Sequence, residues 1–287
     1  MKLPVAILLL LIAGHSVFAN EIDGLSTIKQ VEDFLHAKVN PNWGNKSFFD
    51  TSYTDTAAFG KNKFFKIDLD KNGLTDIIIN GTYLFAITDN GNDSYGIHFI
   101  DKGAFLDERY TLANIISTSN NTLLVVTPYK GSRYTGNRNR TFDTLIYKFD
   151  GLTEYNPLPD NYSIREIKLT TTACYGTCPV FELTIESGRT AIYNAVEYNE
   201  ENGKFRGTID AIVFNTLINT INYIKLKKLK NEYAVDWTDD QTAILEIKYN
   251  NGQVKKIKDY GLIGTFGLRN VYDQIFALRK TQEWEQF

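Results

Sequence analysis

The chain has 287 residues, 43% of them hydrophobic and 13% aromatic, with 31 Lys and Arg against 34 Asp and Glu. That aromatic and apolar content excludes a disordered chain, and the lack of a glycine period or a sustained heptad excludes collagen and coiled coil. Neither half is basic, which argues against a dedicated nucleic-acid binder.

The first predicted element is not part of the fold. Lys2 precedes an apolar run over residues 3–13, and Val17, Phe18 and Ala19 place small residues suitably for a cut before Asn20. This pattern predicts a secretory signal peptide over residues 1–19. The run is too short to span a bilayer, and no later segment is apolar enough to do so. No cysteine lies near the cut to carry a lipid anchor. The expected location is therefore the periplasm or the cell exterior, with no membrane span after cleavage.

Residues 26–38 have apolar positions at helical spacing (Ile28, Val31, Phe34, Leu35), with Ser26 as the expected N-cap and a stop at Asn40-Pro41-Asn42. From 61 to 150, short β-branched and aromatic runs alternate with Asn, Asp and Gly clusters, which predicts a meander of strands. Residues 156–161 carry two prolines among polar neighbours and read as a linker. Strands return at 163–170, 179–186 and 190–196. An amphipathic helix is expected over 209–224, on an apolar face that includes Ile209, Ile212, Val213 and Leu217. Asn251-Gly252 between two alternating runs marks a hairpin, and residues 268–280 close the chain as a second amphipathic helix. The predicted fold class is α+β. A mainly β domain with an N-terminal helix spans 20–158, and a β-hairpin, helix, β-hairpin, helix domain spans 159–287.

Residues 68–76 read Asp68-Leu69-Asp70-Lys71-Asn72-Gly73-Leu74-Thr75-Asp76. The side-chain oxygens of Asp68, Asp70, Asn72 and Asp76, with the carbonyl of Leu74, suit a hard cation that takes six to eight oxygens. Gly73 permits the sharp turn that would gather them. Ile79 stands where an EF-hand carries its bidentate Glu, and the flanks are strand-like. The loop resembles the calcium loop between strands of FG-GAP repeats, which carry D-x-[DN]-x-[DN]-G-x-x-D before an apolar strand. The resemblance covers about a dozen residues in one copy, so no propeller is inferred. It implies a structural Ca2+ that pins two strands together. The alternative is an acidic turn without metal, since Asp and Asn favour turns by themselves.

After the signal segment the chain has two cysteines, Cys174 and Cys178, in Cys174-Tyr175-Gly176-Thr177-Cys178-Pro179-Val180-Phe181. In an oxidising compartment the expected state is a disulfide. Free or redox-active thiols and a metal pair are the alternatives. Three intervening residues do not match a thioredoxin centre, and His36 and His98 both lie in the other half. Together with the hairpins, the helices and Thr238-Asp239-Asp240, the motif resembles a secreted bacterial domain family of unknown function with a C-[FY]-G-x-C-P signature. The resemblance spans about 163–281 and implies architecture and compartment, not an activity.

The segment 129–140 holds Tyr129, Lys130, Arg133, Tyr134, Arg138 and Arg140 and no acid. Such a loop can grip an anionic glycan through Arg forks and aromatic stacking, or can be a solvated connection. Ser26-Thr27-Ile28-Lys29 fits S-x-x-K, but its companion motifs are missing, and no zincin, nucleophile-elbow, P-loop or Rossmann pattern occurs. The sequence thus favours an exported non-enzymatic binding or protein-interaction module, inhibitor-like in one version, with a protein or an anionic glycan as partner. The alternative is a carboxylate-dependent hydrolase acting on envelope polymers, which would need a pocket of convergent carboxylates.

Overall fold

A computed structural model describes residues 20–49, 63–102, 108–128 and 142–287. The expected signal segment 1–19 and the segment 129–140 with Tyr129, Lys130, Arg133, Tyr134, Arg138 and Arg140 lie outside the described residues. The fold is α+β and mostly strand, in three antiparallel-dominated sheets. Among the described residues no helix is long and apolar enough to cross a membrane.

The first sheet is a meander of β1 (Phe64–Ile67), β2 (Asp76–Asn80), β3 (Leu84–Asp89) and β4 (Tyr95–Phe99). On one face lies α1 (Ile28–Phe34), whose N-cap is Thr27 and not Ser26; Ser26 and Thr27 both share the Gln30 side chain. Ile77 and Ile79 face this helix side, packed with Val31, Phe34 and Phe85. Ile78 between them points to the other side and joins a core with Leu124, Val126 and Leu145. A strand covered on both faces needs apolar side chains at every position, which explains the unbroken Ile77-Ile78-Ile79 run.

The second sheet is another meander: β5 (Tyr110–Ser117), β6 (Thr122–Pro128), β7 (Asp143–Lys148) and β8 (Gly151–Glu154). Strand β5 falls inside the expected meander over 61–150, and β8 begins just beyond it. The alternation in Tyr110–Ser117 is spoilt by a bulge near Asn114, and Gly151–Glu154 is only four residues long.

The third sheet contains β9 (Ile164–Thr171), β10 (Val180–Glu186), β11 (Thr190–Glu197), β12 (Gly203–Thr208), β13 (Glu232–Ala234), β14 (Thr242–Tyr249), β15 (Val254–Tyr260) and β16 (Glu285–Gln286), in the order β13-β15-β14-β9-β10-β11-β12-β16. Its apolar face, with Ile167, Leu169, Leu183, Leu245 and Ile247, is covered by α2 (Ala211–Tyr223) and α3 (Phe266–Thr281). The opposite face carries cross-strand ion pairs, Lys168–Glu182 and Glu166–Lys248 both at 2.7 Å. This inside–outside alternation is the period-two pattern of a half-solvated antiparallel sheet.

Helix α2 departs from the expected face. Leu217 and Ile221 are buried, but Ile212 is 77% exposed and Val213 42% exposed. The first turn of the helix overhangs the sheet instead of packing on it.

The residues of the predicted linker are stitched to the end of α2. The Asn156 N–H donates to the Tyr223 hydroxyl at 2.9 Å, and the Asp160 N–H donates to the Asn222 carbonyl at 3.1 Å. Helix α3 reaches further: Phe266, in its first turn, is buried in the core of the second sheet. Gly267 allows this approach, because a Cβ there would sit 2.4 Å from the Ile224 Cγ2 and 2.5 Å from the Thr153 Oγ1.

Candidate functional sites

The turn joining β1 to β2 gathers the predicted cation ligands. Carboxylate oxygens of Asp68, Asp70 and Asp76 lie within 4.8 Å of one another. Lys71 and Gly73 both take positive φ, 65° and 88°, which folds the chain back over itself. Asp76 is fully buried and organises the backbone. Its Oδ2 accepts the Leu69 N–H at 2.7 Å and the Asp70 N–H at 3.4 Å, and its Oδ1 accepts the Asp89 N–H at 2.8 Å. Burial pushes this carboxyl up to about 7 in spite of those bonds. Asp70 is raised as well, by burial first and by the Asp68 charge further on. Asp68 Oδ1 is buried and has no hydrogen-bond partner.

Asn72 and Leu74 also brace the turn itself. Asn72 Oδ1 accepts the Leu74 N–H at 2.7 Å, and its amide donates to Asp70 Oδ2 at 3.1 Å and to the Asp89 carbonyl at 2.7 Å. The Asp68 carbonyl accepts the Thr122 hydroxyl at 2.9 Å, which ties the turn to the start of β6. The turn therefore links both N-terminal sheets. Asp68, Asp70 and Asp76 are placed so that they could hold a cation, since each carboxylate has lone pairs beyond those used on the backbone.

The second constellation is the disulfide between Cys174 and Cys178, with Cα atoms 5.7 Å apart. It closes a small ring between β9 and β10. The ring is fixed from behind: the Tyr175 N–H donates to the Asp239 carbonyl at 2.7 Å, and the buried Gln241 amide donates to the Thr172 and Pro179 carbonyls at 3.1 and 2.8 Å. The Tyr175 side chain is left 91% exposed. It borders a groove of about 550 Å³ with Trp237, Asp239 and Asp240. The Trp237 indole N–H donates to Asp240 Oδ2 at 3.0 Å, and Asp239 is held at φ 68°.

A third feature has no counterpart in the motifs. A cleft of about 560 Å³ opens between α2, α3, strand β4 and the β7–β8 turn. Its polar lining includes His98, Asp150, Arg269 and Asp273; Ile212 and Val213 form part of its apolar wall. Arg269 donates to the Asp101 carbonyl at 3.0 Å and to the Phe99 carbonyl. Burial lowers His98 to about 4, so its ring is neutral, and it shares a 3.1 Å hydrogen bond with the Thr88 hydroxyl. Crowding by protein raises the Asp273 carboxyl against the pull of Arg269. No sequence signal could have found this cleft: its residues come from four elements and form no motif. Trp237 is different, because it directly precedes Thr238-Asp239-Asp240 and could have been included.

Residues 165–279 match the model of a family described as Domain of unknown function (DUF6438). The matched stretch runs from β9 into α3 and contains the disulfide ring, the Trp237 loop and α2. No curated protein matches the chain. No solved structure matches it either. The DUF6438 similarity is thus to a domain without an assigned activity, and the first two sheets lie outside it.

Proposed function

We propose that this is an exported bacterial binding protein that presents Tyr175 to a partner and uses a structural calcium ion to pin the β1–β2 turn. The observation that carries the reading is the exposure of Tyr175 on a covalently closed ring. A ring this small adds only about 2 kcal/mol to global stability in the chain-entropy model. Its larger effect is local: it holds an aromatic side chain in water, where folding gains nothing from it. Pre-organised exposed aromatics are the usual anchors of recognition surfaces, because little entropy is lost when they are covered. Among the described residues the groove beside Tyr175 is lined by Trp237 and two carboxylates and by no cation. That lining fits a neutral sugar, whose apolar ring face stacks on aromatics while its hydroxyls donate to carboxylates. An anionic glycan suits the segment 129–140 instead.

Calcium is supported by the convergence of Asp68, Asp70 and Asp76 and by the orphaned Asp68 oxygen. Its role in this reading is to neutralise the turn and hold β1, β2 and β6 together. The N-terminal run over 1–19 and the disulfide support export.

The test is co-sedimentation of the purified protein with insoluble envelope polysaccharide, beside Tyr175→Ala and Trp237→Ala variants. Retention of the wild type and release of both variants is the expected result. Equal retention of all three removes the recognition role from the ring. The calcium part is tested by thermal unfolding with Ca2+ and with chelator. The wild type is expected to gain several degrees with Ca2+, and an Asp68→Ala/Asp70→Ala double variant to gain nothing.

A further inference from the structure

We propose that the cleft between α2 and α3 is a second binding site, which takes a small organic monocation with an apolar body, an amine whose ammonium group pairs with Asp273.

The proposal rests on which polar groups in the cleft are already committed. Arg269 is engaged with the Phe99 and Asp101 carbonyls. Asn270 donates to the Lys148 carbonyl at 3.2 Å. Gln274 donates to the Thr220 hydroxyl at 2.9 Å and to Asn270 Oδ1 at 3.0 Å. His98 is held by Thr88. Among the described residues the two acidic groups of the cleft, Asp150 and Asp273, have neither a side-chain hydrogen bond nor an ion pair, and of the two Asp273 lies on α3, one helical turn after Arg269. Solvent reaches it through the cleft, while protein crowds it from the other sides.

Charge and shape then set the ligand class. Asp150 and Asp273 are acidic, Arg269 is cationic and His98 is neutral, so the cleft is left with one uncompensated negative charge. Asp273 stays exposed along the cleft, yet the protein packed on its other sides takes part of its hydration and raises its carboxyl. An ammonium restores the lost interaction by a charge-assisted hydrogen bond. The rest of the wall is apolar: Ile97, Phe99 and Leu152 on one side, and Ile212 and Val213 from α2 on the other. Ile212 and Val213 are exposed, which explains why the first turn of α2 is apolar without packing into the core. A cleft of about 560 Å³ is of the size that encloses a drug-sized molecule. This inference goes beyond the reading above, since neither Tyr175 nor calcium enters it.

The test is calorimetric titration of the full chain near neutral pH with three probes that share one body: phenylpropylamine, phenylpropanol and phenylpropionic acid. The amine is expected to bind about tenfold tighter than the alcohol, with the acid weakest, as a charge-assisted bond predicts. Asp273→Asn should bring the amine down to the level of the alcohol and leave the melting temperature near that of the wild type. Ile212→Ser, an exposed change that does not threaten folding, should weaken amine and alcohol alike. Equal binding of amine and alcohol, an Asp273→Asn variant that keeps the preference, or no saturable binding of the amine would each overturn the proposal. None of these readouts uses polysaccharide or calcium, so failure here is separate from failure of the Tyr175 reading.

Discussion

Glu154, at the end of β8, caps the helix that begins at Phe266. Its Oε1 accepts the Phe266 N–H at 2.7 Å, and its Oε2 accepts the Gly267 N–H at 2.9 Å. A carboxylate at this point satisfies two otherwise orphaned donors and complements the positive end of the helix dipole. Because α3 packs on the third sheet while Phe266 sits in the core of the second, this contact couples the two halves. Lys102 reinforces it by donating to the Gly264 carbonyl at 2.8 Å just before the helix.

Glu154→Ala should therefore destabilise the protein by about 2 kcal/mol, toward the upper end for a lost N-terminal cap. Glu154→Gln keeps an acceptor and should lose less than half of that. Thermal or denaturant unfolding of the two variants measures the difference. If alanine costs nothing, the cap is not holding the helix.

Gly267→Ala should be more damaging than a glycine-to-alanine change in a helix normally is. Alanine has the higher helix propensity by about 1 kcal/mol. Here the added methyl would run into Ile224 and Thr153. Helix α3 must shift away from β8, at a cost on the order of 2 kcal/mol. A melting temperature that rises in this variant would show that the helix can move without loss.

Asp68 and Asp76 should respond differently to alanine. Asp76 holds three backbone N–H groups from a buried position, so Asp76→Ala should cost about 3 kcal/mol even with chelator present. Asp68 contributes one weak side-chain contact to the turn, to the Gly73 N–H at 3.3 Å. Asp68→Ala should then be nearly neutral in chelator, within about 0.5 kcal/mol, and should abolish the gain from Ca2+. Unfolding of each variant with and without Ca2+ separates the structural carboxylate from the cation-holding one.

Asp101 predicts a pH dependence. It is buried, accepts the Leu84 N–H at 3.1 Å and the Tyr110 N–H at 2.8 Å, and lies 3.5 Å from Arg109. Burial outweighs these contacts and raises its carboxyl to about 7. Between the ordinary carboxylate range and that value the folded state binds a proton the unfolded state has released. Stability from this group is thus full at low pH and is lost as pH rises through about 7, by at most about 4 kcal/mol. Unfolding free energies measured from pH about 5 to 8 should fall in the wild type and fall less in Asp101→Asn. A wild-type stability that stays level over that window, with the same profile in Asp101→Asn, would mean the carboxylate is held ionised.

Removal of the disulfide should separate stability from recognition. Replacing Cys174 and Cys178 by serine should lower stability by no more than about 2 kcal/mol, since the closed loop is so short. Retention on envelope polysaccharide should fall much further, because Tyr175 is no longer pre-organised. Comparing the two readouts on one preparation decides the point.

Local signals were legible in the sequence where a few adjacent residues suffice. The turn from Asp68 to Asp76, the pairing of Cys174 with Cys178 and the hairpin at Asn251-Gly252 each depend on short-range geometry, and the structure has them in place. The α+β class followed for the same reason, from the periodicity of strands and helices. Periodicity misjudged the first turn of α2, since an apolar side chain reads alike whether it enters a core or lines an open cleft. Which residues meet across long separations was decided only by tertiary packing. The Glu154 cap on Phe266, the Lys102 contact to Gly264 and the gathering of His98, Asp150 and Asp273 around one cleft join residues that share no local pattern. A chain specifies turns and periods through neighbouring residues. It specifies a cleft only through the way whole sheets and helices come to rest against each other.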